Sequence, residues 1–214
     1  PAPAGVALGD LDGDGDTDLA VASLGDYLQW VPGDLSVFPG NGDGTFGTRR
    51  VLATSEFANS VAVLAADADS DGRTDLVFMP DIASLDPTVE GWVTVFRGQA
   101  DGTLGAGESF NVGPHPGYAF IADLDRNGVP DLNIACRAGH ITVAGVDATG
   151  RFAEKYRIAT RGYAHIVEPG DFDEDGTADV AVVTMSGFSI LREAPVVRDI
   201  VVRGGVLSWS TTGE

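Results

Sequence analysis

The chain has 214 residues, 32 acidic against 13 basic, with a formal net charge of −19 and a pI near 4.2. Yet 43% of its residues are hydrophobic and its mean hydropathy is +0.07, which separates it from acidic disordered tails and supplies enough apolar material for an ordinary core. The sign of the charge disfavours nucleic acid and anionic membrane surfaces, both held through Lys and Arg clusters, and no apolar run approaches the ~20 residues of a membrane span.

The first residues, Pro1 to Gly5, carry neither a basic nor an apolar leader region; a signal peptide is expected to have been removed, or the numbering to start inside a longer protein. From Val6 onward the apolar stretches are short. They include Val6–Leu8, Leu19–Ala22, Val61–Leu64, Leu76–Phe78, Val93–Phe96, Ile141–Val143 and Val180–Val183. They are rich in β-branched residues and bounded by Gly, Asp, Asn and Pro, and no long helical period runs through them. That pattern predicts many short strands and an all-β protein. The single cysteine, Cys136, lies in the apolar stretch Leu132–Cys136 and is expected to be a small buried core residue.

A nine-residue acidic segment recurs four times between these strands. The first copy carries Asp10, Asp12, Asp14, Asp16 and Asp18; the second Asp67, Asp69, Asp71, Arg73 and Asp75. The third carries Asp123, Asp125, Asn127, Val129 and Asp131; the fourth Asp171, Asp173, Asp175, Thr177 and Asp179. The copies start 57, 56 and 48 residues apart. A Gly-rich repeat alternates with them: Phe38 to Phe46, Phe96 to Leu104 and, degenerate, Ala144 to Phe152. Each full unit then reads strand, acidic loop, strand, variable loop, strand, Gly-rich turn, strand. Four strands per ~40–55 residues is the spacing of a β-propeller blade. The units run over about 1–56, 57–112, 113–160 and 161–193.

Ca²⁺ takes six to eight oxygens in a flexible cage. Each loop offers side-chain oxygens at positions 1, 3, 5 and 9 and a backbone carbonyl at position 7, here Asp16, Arg73, Val129 or Thr177. Glycine at position 6 in every copy permits the sharp reversal. An EF-hand needs a bidentate Glu at position 12 and flanking helices, whereas that position holds Val21, Phe78, Ile134 and Val182. Zinc would call for Cys and His clusters. A plain polar turn explains one copy but not four with carboxylates or Asn at the same alternate positions, since packed unneutralised carboxylates repel. One structural Ca²⁺ per repeat, up to four, is therefore expected, with the third site weakened because Asn127 replaces a carboxylate.

These acidic loops and the Gly40-to-Phe46 turn resemble the FG-GAP/VCBS repeat family, whose blades build integrin-type β-propellers. The resemblance covers residues 1 to about 193. It implies blades of four antiparallel strands, calcium in the loop between the first and second strands, and a ligand surface on the opposite face. Such propellers usually have about seven blades. The four repeats are thus expected to be part of a longer propeller, a compact four-bladed ring, or half of a ring completed by a second chain. Residues 194–214 read as two strands about a Gly204-Gly205 turn, and faintly resemble the opening of a fibronectin type III domain, with Trp209 in the second strand.

On the opposite face, the variable loops contribute Tyr27, Trp30 and Trp92, and the inter-blade loops His115, Tyr118, Tyr163 and His165. Such aromatics stack on sugar rings, anchor a protein, or seal the space between blades. The histidines lack the carboxylate or third His of a metal or acid–base site. Asp81, Asp86 and Glu90 form the only carboxylate cluster in these inserts, and solvated loop charge explains them. The sequence reading is therefore a non-catalytic, calcium-stabilised, secreted or cell-surface propeller that binds a protein or glycan. The alternative is an accessory domain of a larger secreted enzyme acting on polysaccharide.

Overall fold

Loops of Asp and Gly break the chain into short strands, and each strand turns back on the one before it. The computed structural model describes residues 2–25, 31–55, 58–82, 89–160, 162–184, 187–191, 197–203 and 206–210. The first sheet comprises β1 (Ala2–Gly9), β2 (Asp18–Leu24), β3 (Gly33–Phe38) and β4 (Arg50–Ser55). The second comprises β5 (Ala58–Ala66), β6 (Asp75–Ile82), β7 (Trp92–Phe96) and β8 (Glu108–Asn111). The third comprises β9 (Pro116–Ala122), β10 (Asp131–Cys136), β11 (His140–Val146) and β12 (Phe152–Ala159). The fourth comprises β13 (Ala164–Gly170), β14 (Asp179–Thr184), β15 (Gly187–Leu191), β16 (Val197–Arg203) and β17 (Val206–Ser210).

Strands pair antiparallel in chain order within every sheet, so each is a meander with the geometry of a propeller blade. The all-β, four-strand repeat expected from the sequence is what forms, with a fifth strand added to the fourth sheet. Residues 197–210, set apart in the sequence as a C-terminal segment, contribute β16, which pairs with β15 through Ile190–Arg198 and Leu191–Val197, and β17 beyond it. The intervening Gly204-Gly205 turn lies outside the described residues. The first strands neighbour one another in the order β1, β5, β9, β13, and among the described residues the four sheets do not close into a ring. No helix of the described residues is long and apolar enough to cross a membrane.

Alternation along the strands sends successive side chains to opposite faces of a blade, so each of the two inner blades feeds two cores. Along β6, Leu76 and Phe78 pack toward the first blade with Leu35, Val37 and Ala20, whereas Val77 and Met79 pack toward the third with Leu132, Ile134 and Phe152. A third core joins Ile141 and Val143 to Val167, Val180 and Val182. Fully burying one such side chain is worth ~1.5–3 kcal/mol, so stability lies between blades rather than within them. The outward faces of the end blades have no such cover. Val6 and Leu8 of β1 are 66% and 61% exposed, and Ile166 of β13 is 54% exposed.

Polar contacts fasten the second blade to the third. The Val112 carbonyl accepts from Thr142 Oγ1 at 2.6 Å and Cys136 Sγ at 3.3 Å, with His140 Nε2 at 3.2 Å. Burial lowers the His140 pKa, which keeps the ring neutral. Cys136 is fully buried, as expected, and desolvation pushes its thiol up to about 12, leaving it chemically inert. Arg97 lies over the Phe152 ring at 4.8 Å and donates to the Gly150 carbonyl at 2.8 Å.

Candidate metal centres and the opposite face

Each acidic loop joins a blade's first strand to its second, so all four loops emerge at one end of the blades, beside the Gly-rich turns. The loops share one backbone path. Position 6 is a left-handed glycine in every copy, at φ +92, +86, +85 and +84 for Gly15, Gly72, Gly128 and Gly176. Position 4 is left-handed as well, and only the first copy has glycine there; Ser70, Arg126 and Glu174 adopt φ of about +60. That second reversal was not read from the sequence, and Gly13 was its one visible signal.

Carboxylates hold this path. The position-1 residues Asp10, Asp67, Asp123 and Asp171 accept through Oδ2 from the position-6 glycine N–H at 3.0, 2.9, 2.8 and 2.8 Å. The buried position-9 residues Asp18, Asp75, Asp131 and Asp179 accept from the amides of Leu11, Ala68, Leu124 and Phe172 at 2.8, 2.9, 3.2 and 3.0 Å. At position 5, Oδ1 of Asp14, Asp71, Asn127 and Asp175 accepts from the amides of Asp16, Arg73, Val129 and Thr177 at 2.8, 3.0, 2.7 and 2.9 Å.

The side chains that converge are Asp10, Asp12 and Asp18; Asp67, Asp69 and Asp71; Asp123, Asp125 and Asp131; and Asp171, Asp173 and Asp179, each set with oxygens within 4.8 Å of one another. Asp14 and Asp175 bond to loop amides and stand outside the convergent triads, as does Asp75, whose other oxygen takes the Gly98 amide at 2.9 Å.

Electrostatics distinguish the loops. Burial, then the charges of Asp18 and Asp14, raises the Asp12 pKa; burial, then Asp71, raises that of Asp69. Burial pushes Asp75 up to about 6 against the opposing amides of Gly98 and Ala68. Asp12 Oδ1 and Asp69 Oδ1 are buried with no hydrogen-bond partner. A buried carboxylate oxygen left so is costly unless a cation completes it, and an oxygen-only donor set fits Ca²⁺. In the second loop Arg73 pairs with Asp71, and Arg97 donates to Asp69 Oδ2 at 3.0 Å, but Asp69 Oδ1 stays unpartnered. The fourth triad has only Asp179 buried.

The third loop differs. Lys155 Nζ, from β12, donates to Asp125 Oδ2 at 3.0 Å and to Asp131 Oδ1 at 2.5 Å. Burial works against the Asp125 carboxylate, yet Lys155 holds its pKa below the ordinary value. Burial likewise opposes the Lys155 ammonium, and Asp131 and Asp125 hold its pKa above the ordinary value. Among the described residues, no buried oxygen of this triad lacks a partner.

At the other end of the blades, Trp92 opens β7 at 49% exposure and Tyr118 in β9 is 41% exposed. Trp92 is therefore not buried as a seal between blades. The carbonyl of His115 accepts the Arg137 amide at 2.8 Å, and the Arg137 guanidinium lies 5.7 Å from the centre of the Tyr163 ring. Arg137, in the short turn between β10 and β11, was not singled out by sequence. Tyr27, Trp30 and Asp86 lie outside the described residues, as does the side chain of His165 in β13.

No curated protein matches the chain. Among solved structures it is similar to the rhamnogalacturonan lyase YesW (18% identity, TM-score 0.54, covering 86% of this chain and 41% of that one). It is similar also to a rhamnogalacturonan lyase of Bacillus licheniformis (18%, 0.55, 89% and 40%) and to the exotype rhamnogalacturonan lyase YesX (17%, 0.56, 86% and 39%). The chain spans about two fifths of the length of each, and likeness at this identity concerns the fold. The profile of the FG-GAP-like repeat matches residues 10–78 and 123–182, more than half of the sequence, and the chain belongs to that repeat family.

Proposed function

We propose that this chain is a calcium-stabilised propeller segment whose opposite face binds a glycan, and that it serves as a non-catalytic part of a larger extracellular protein acting on polysaccharide. The observation that carries the calcium reading is the pair of buried, unpartnered carboxylate oxygens, Asp12 Oδ1 and Asp69 Oδ1, each on a member of a convergent acidic triad. Ca²⁺ would be held by Asp10, Asp12 and Asp18 in the first loop, by Asp67, Asp69 and Asp71 in the second, and by Asp171, Asp173 and Asp179 in the fourth. The carbonyls of Asp16, Arg73 and Thr177 would add oxygens. When bound, the ion supplies charge neutralisation and a cross-link between the first and second strands of its blade. Extracellular modules of this kind work at ~10⁻⁴–10⁻³ M calcium, which supports a secreted or cell-surface location.

The glycan reading rests on Trp92, Tyr118, and Arg137 over Tyr163, which offer aromatic faces and a cation at the end away from the acidic loops. It is supported by the solved lyases whose fold this chain shares. The uncovered apolar faces of β1 and β13 favour further blades on either side, from the same chain or a second one. A protein ligand is the second reading, since the same exposed aromatics would anchor one.

A glycan array that includes rhamnogalacturonan, probed with and without EDTA, tests the proposal. Retention of intact polysaccharide supports it. Release of shortened or unsaturated products by the chain alone overturns the non-catalytic role, and no retention of any glycan leaves the protein-binding reading in its place.

A further inference from the structure

We propose that the third acidic loop is not a calcium site, because the chain carries its own cation there, the Lys155 ammonium. This rests on the calcium reading of the other loops and sharpens it. In the first and second blades the Gly-rich turn seats against its acidic loop and donates a backbone N–H to the position-9 carboxylate, Gly40 to Asp18 at 2.7 Å and Gly98 to Asp75 at 2.9 Å. That seating requires glycine. A Cβ on Gly40 would lie 2.3 Å from the Thr17 carbonyl oxygen, and one on Gly98 2.6 Å from that of Thr74.

The bridges Gly40–Phe46 and Gly98–Leu104 correspond to the strand pair Val146–Phe152 in the third blade. Valine thus stands where the other two turns have glycine, and its Cβ forbids the same approach. The Asp131 oxygen that the turn amide would have satisfied instead receives Lys155 Nζ, which bridges to Asp125 as well. Lys155 falls three residues after Phe152. The corresponding residue is Gly107 in the second blade and Arg49 in the first, where the guanidinium turns away to Asp34 at 2.7 Å. Gly145 completes the arrangement, since a Cβ there would lie 2.7 Å from Lys155 Cε. An ammonium and a divalent ion cannot share two carboxylates at this distance without strong repulsion. The ammonium therefore takes over the role of the metal, and Asn127 at position 5 matches the lower charge it has to balance.

Calcium counting on chelator-stripped protein, by native mass spectrometry and titration calorimetry, tests this. Lys155→Met should bind one more ion than wild type, and Lys155→Gln likewise, each with circular dichroism confirming the fold. An unchanged count in a folded variant overturns the proposal. Within the wild-type background, Asp125→Asn should leave the count as it was while Asp12→Asn removes one ion; loss of an ion in Asp125→Asn also overturns it. A wild type that binds no calcium speaks against the reading of the first, second and fourth loops. The Lys155 proposal is still decided by whether its variants gain an ion.

Discussion

The first and third acidic loops have the same length and the same left-handed reversals, and in both the position-1 carboxylate takes the position-6 glycine amide and the position-9 carboxylate the position-2 amide, yet their charge is balanced differently. In the first, Asp12 Oδ1 is buried and unpartnered and the pKa of Asp12 is driven up by burial and its acidic neighbours. In the third, the corresponding Asp125 is held down by a lysine from the blade's fourth strand. The difference originates outside the nine-residue motif, in one turn residue (glycine or valine) and one strand residue. An acidic loop of this kind specifies a need for positive charge, and the neighbouring turn decides whether an ion or a side chain meets it.

The largest expected effect is calcium removal. A site saturated at a hundredfold over its Kd contributes ~2.7 kcal/mol, and 1 kcal/mol moves Tm by ~2–4 °C in a chain of this size. EDTA should therefore lower Tm by more than ~10 °C in differential scanning calorimetry, and a trace indifferent to EDTA would falsify structural calcium binding.

Next in size is the contrast between Asp12→Ala and Asp125→Ala. Asp12→Ala should cost ~2–3 kcal/mol in calcium and little in EDTA, because it removes a ligand that is a liability without the ion. Asp125→Ala should cost ~1 kcal/mol, the same in both conditions, as befits a partly exposed ion pair. Chemical denaturation of each variant with and without calcium makes the comparison, and a calcium-dependent cost for Asp125→Ala would erase the distinction between the loops.

The pH dependence has an unusual sign. Asp75 titrates near 6 in the metal-free fold against 3.8 for the free side chain, so between those values the folded state binds more protons than the unfolded one. Its contribution to stability therefore falls as pH rises through that window. With His140, which burial keeps neutral and which pulls the other way below pH 6.5, replaced by Gln, Tm in EDTA should be higher at pH 5 than at pH 7. In calcium, where protons compete with the ion, the order should reverse; an EDTA profile that rises from pH 5 to 7 would argue against this burial of Asp75. Carboxylates whose pKa is lowered, such as Asp34 and Asp147, lose their contribution as pH falls through the ordinary carboxylate range and below it, not between pH 5 and 7.

The smallest effects concern residues whose side chains stand outside the triads. Asp16→Ala should change stability by less than ~0.5 kcal/mol, since in the proposed calcium site Asp16 would contribute its carbonyl and not its carboxylate. Glu174→Gly should stabilise by up to ~1 kcal/mol by relieving a left-handed non-glycine residue, less the entropy glycine adds to the unfolded chain. Equal effects of Asp16→Ala and Asp12→Ala on calcium affinity would undo the assignment of loop positions.

Much of this was legible in the chain itself. Four copies of one acidic motif, each flanked by short β-branched stretches, determined the strand count, the four-strand meander and the family, because a loop that reverses within nine residues and a strand that alternates are both local in sequence. Seventeen of the 32 acidic residues fall in those loops, so the net charge of −19 was a statement about cation sites before it was one about partners. What only the tertiary structure decided was long-range. Lys155 lies 24 residues beyond Asp131 and Arg97 28 beyond Asp69, and neither separation carries a periodic signal. The burial that leaves Asp12 Oδ1 unpartnered, and the close approach that Gly40 permits and Val146 denies, depend on how a strand or turn packs against its own blade's loop. The motif could announce the demand for a cation, but the identity of the cation follows from contacts made only when the Gly-rich turn and the fourth strand fold back onto their own blade's loop.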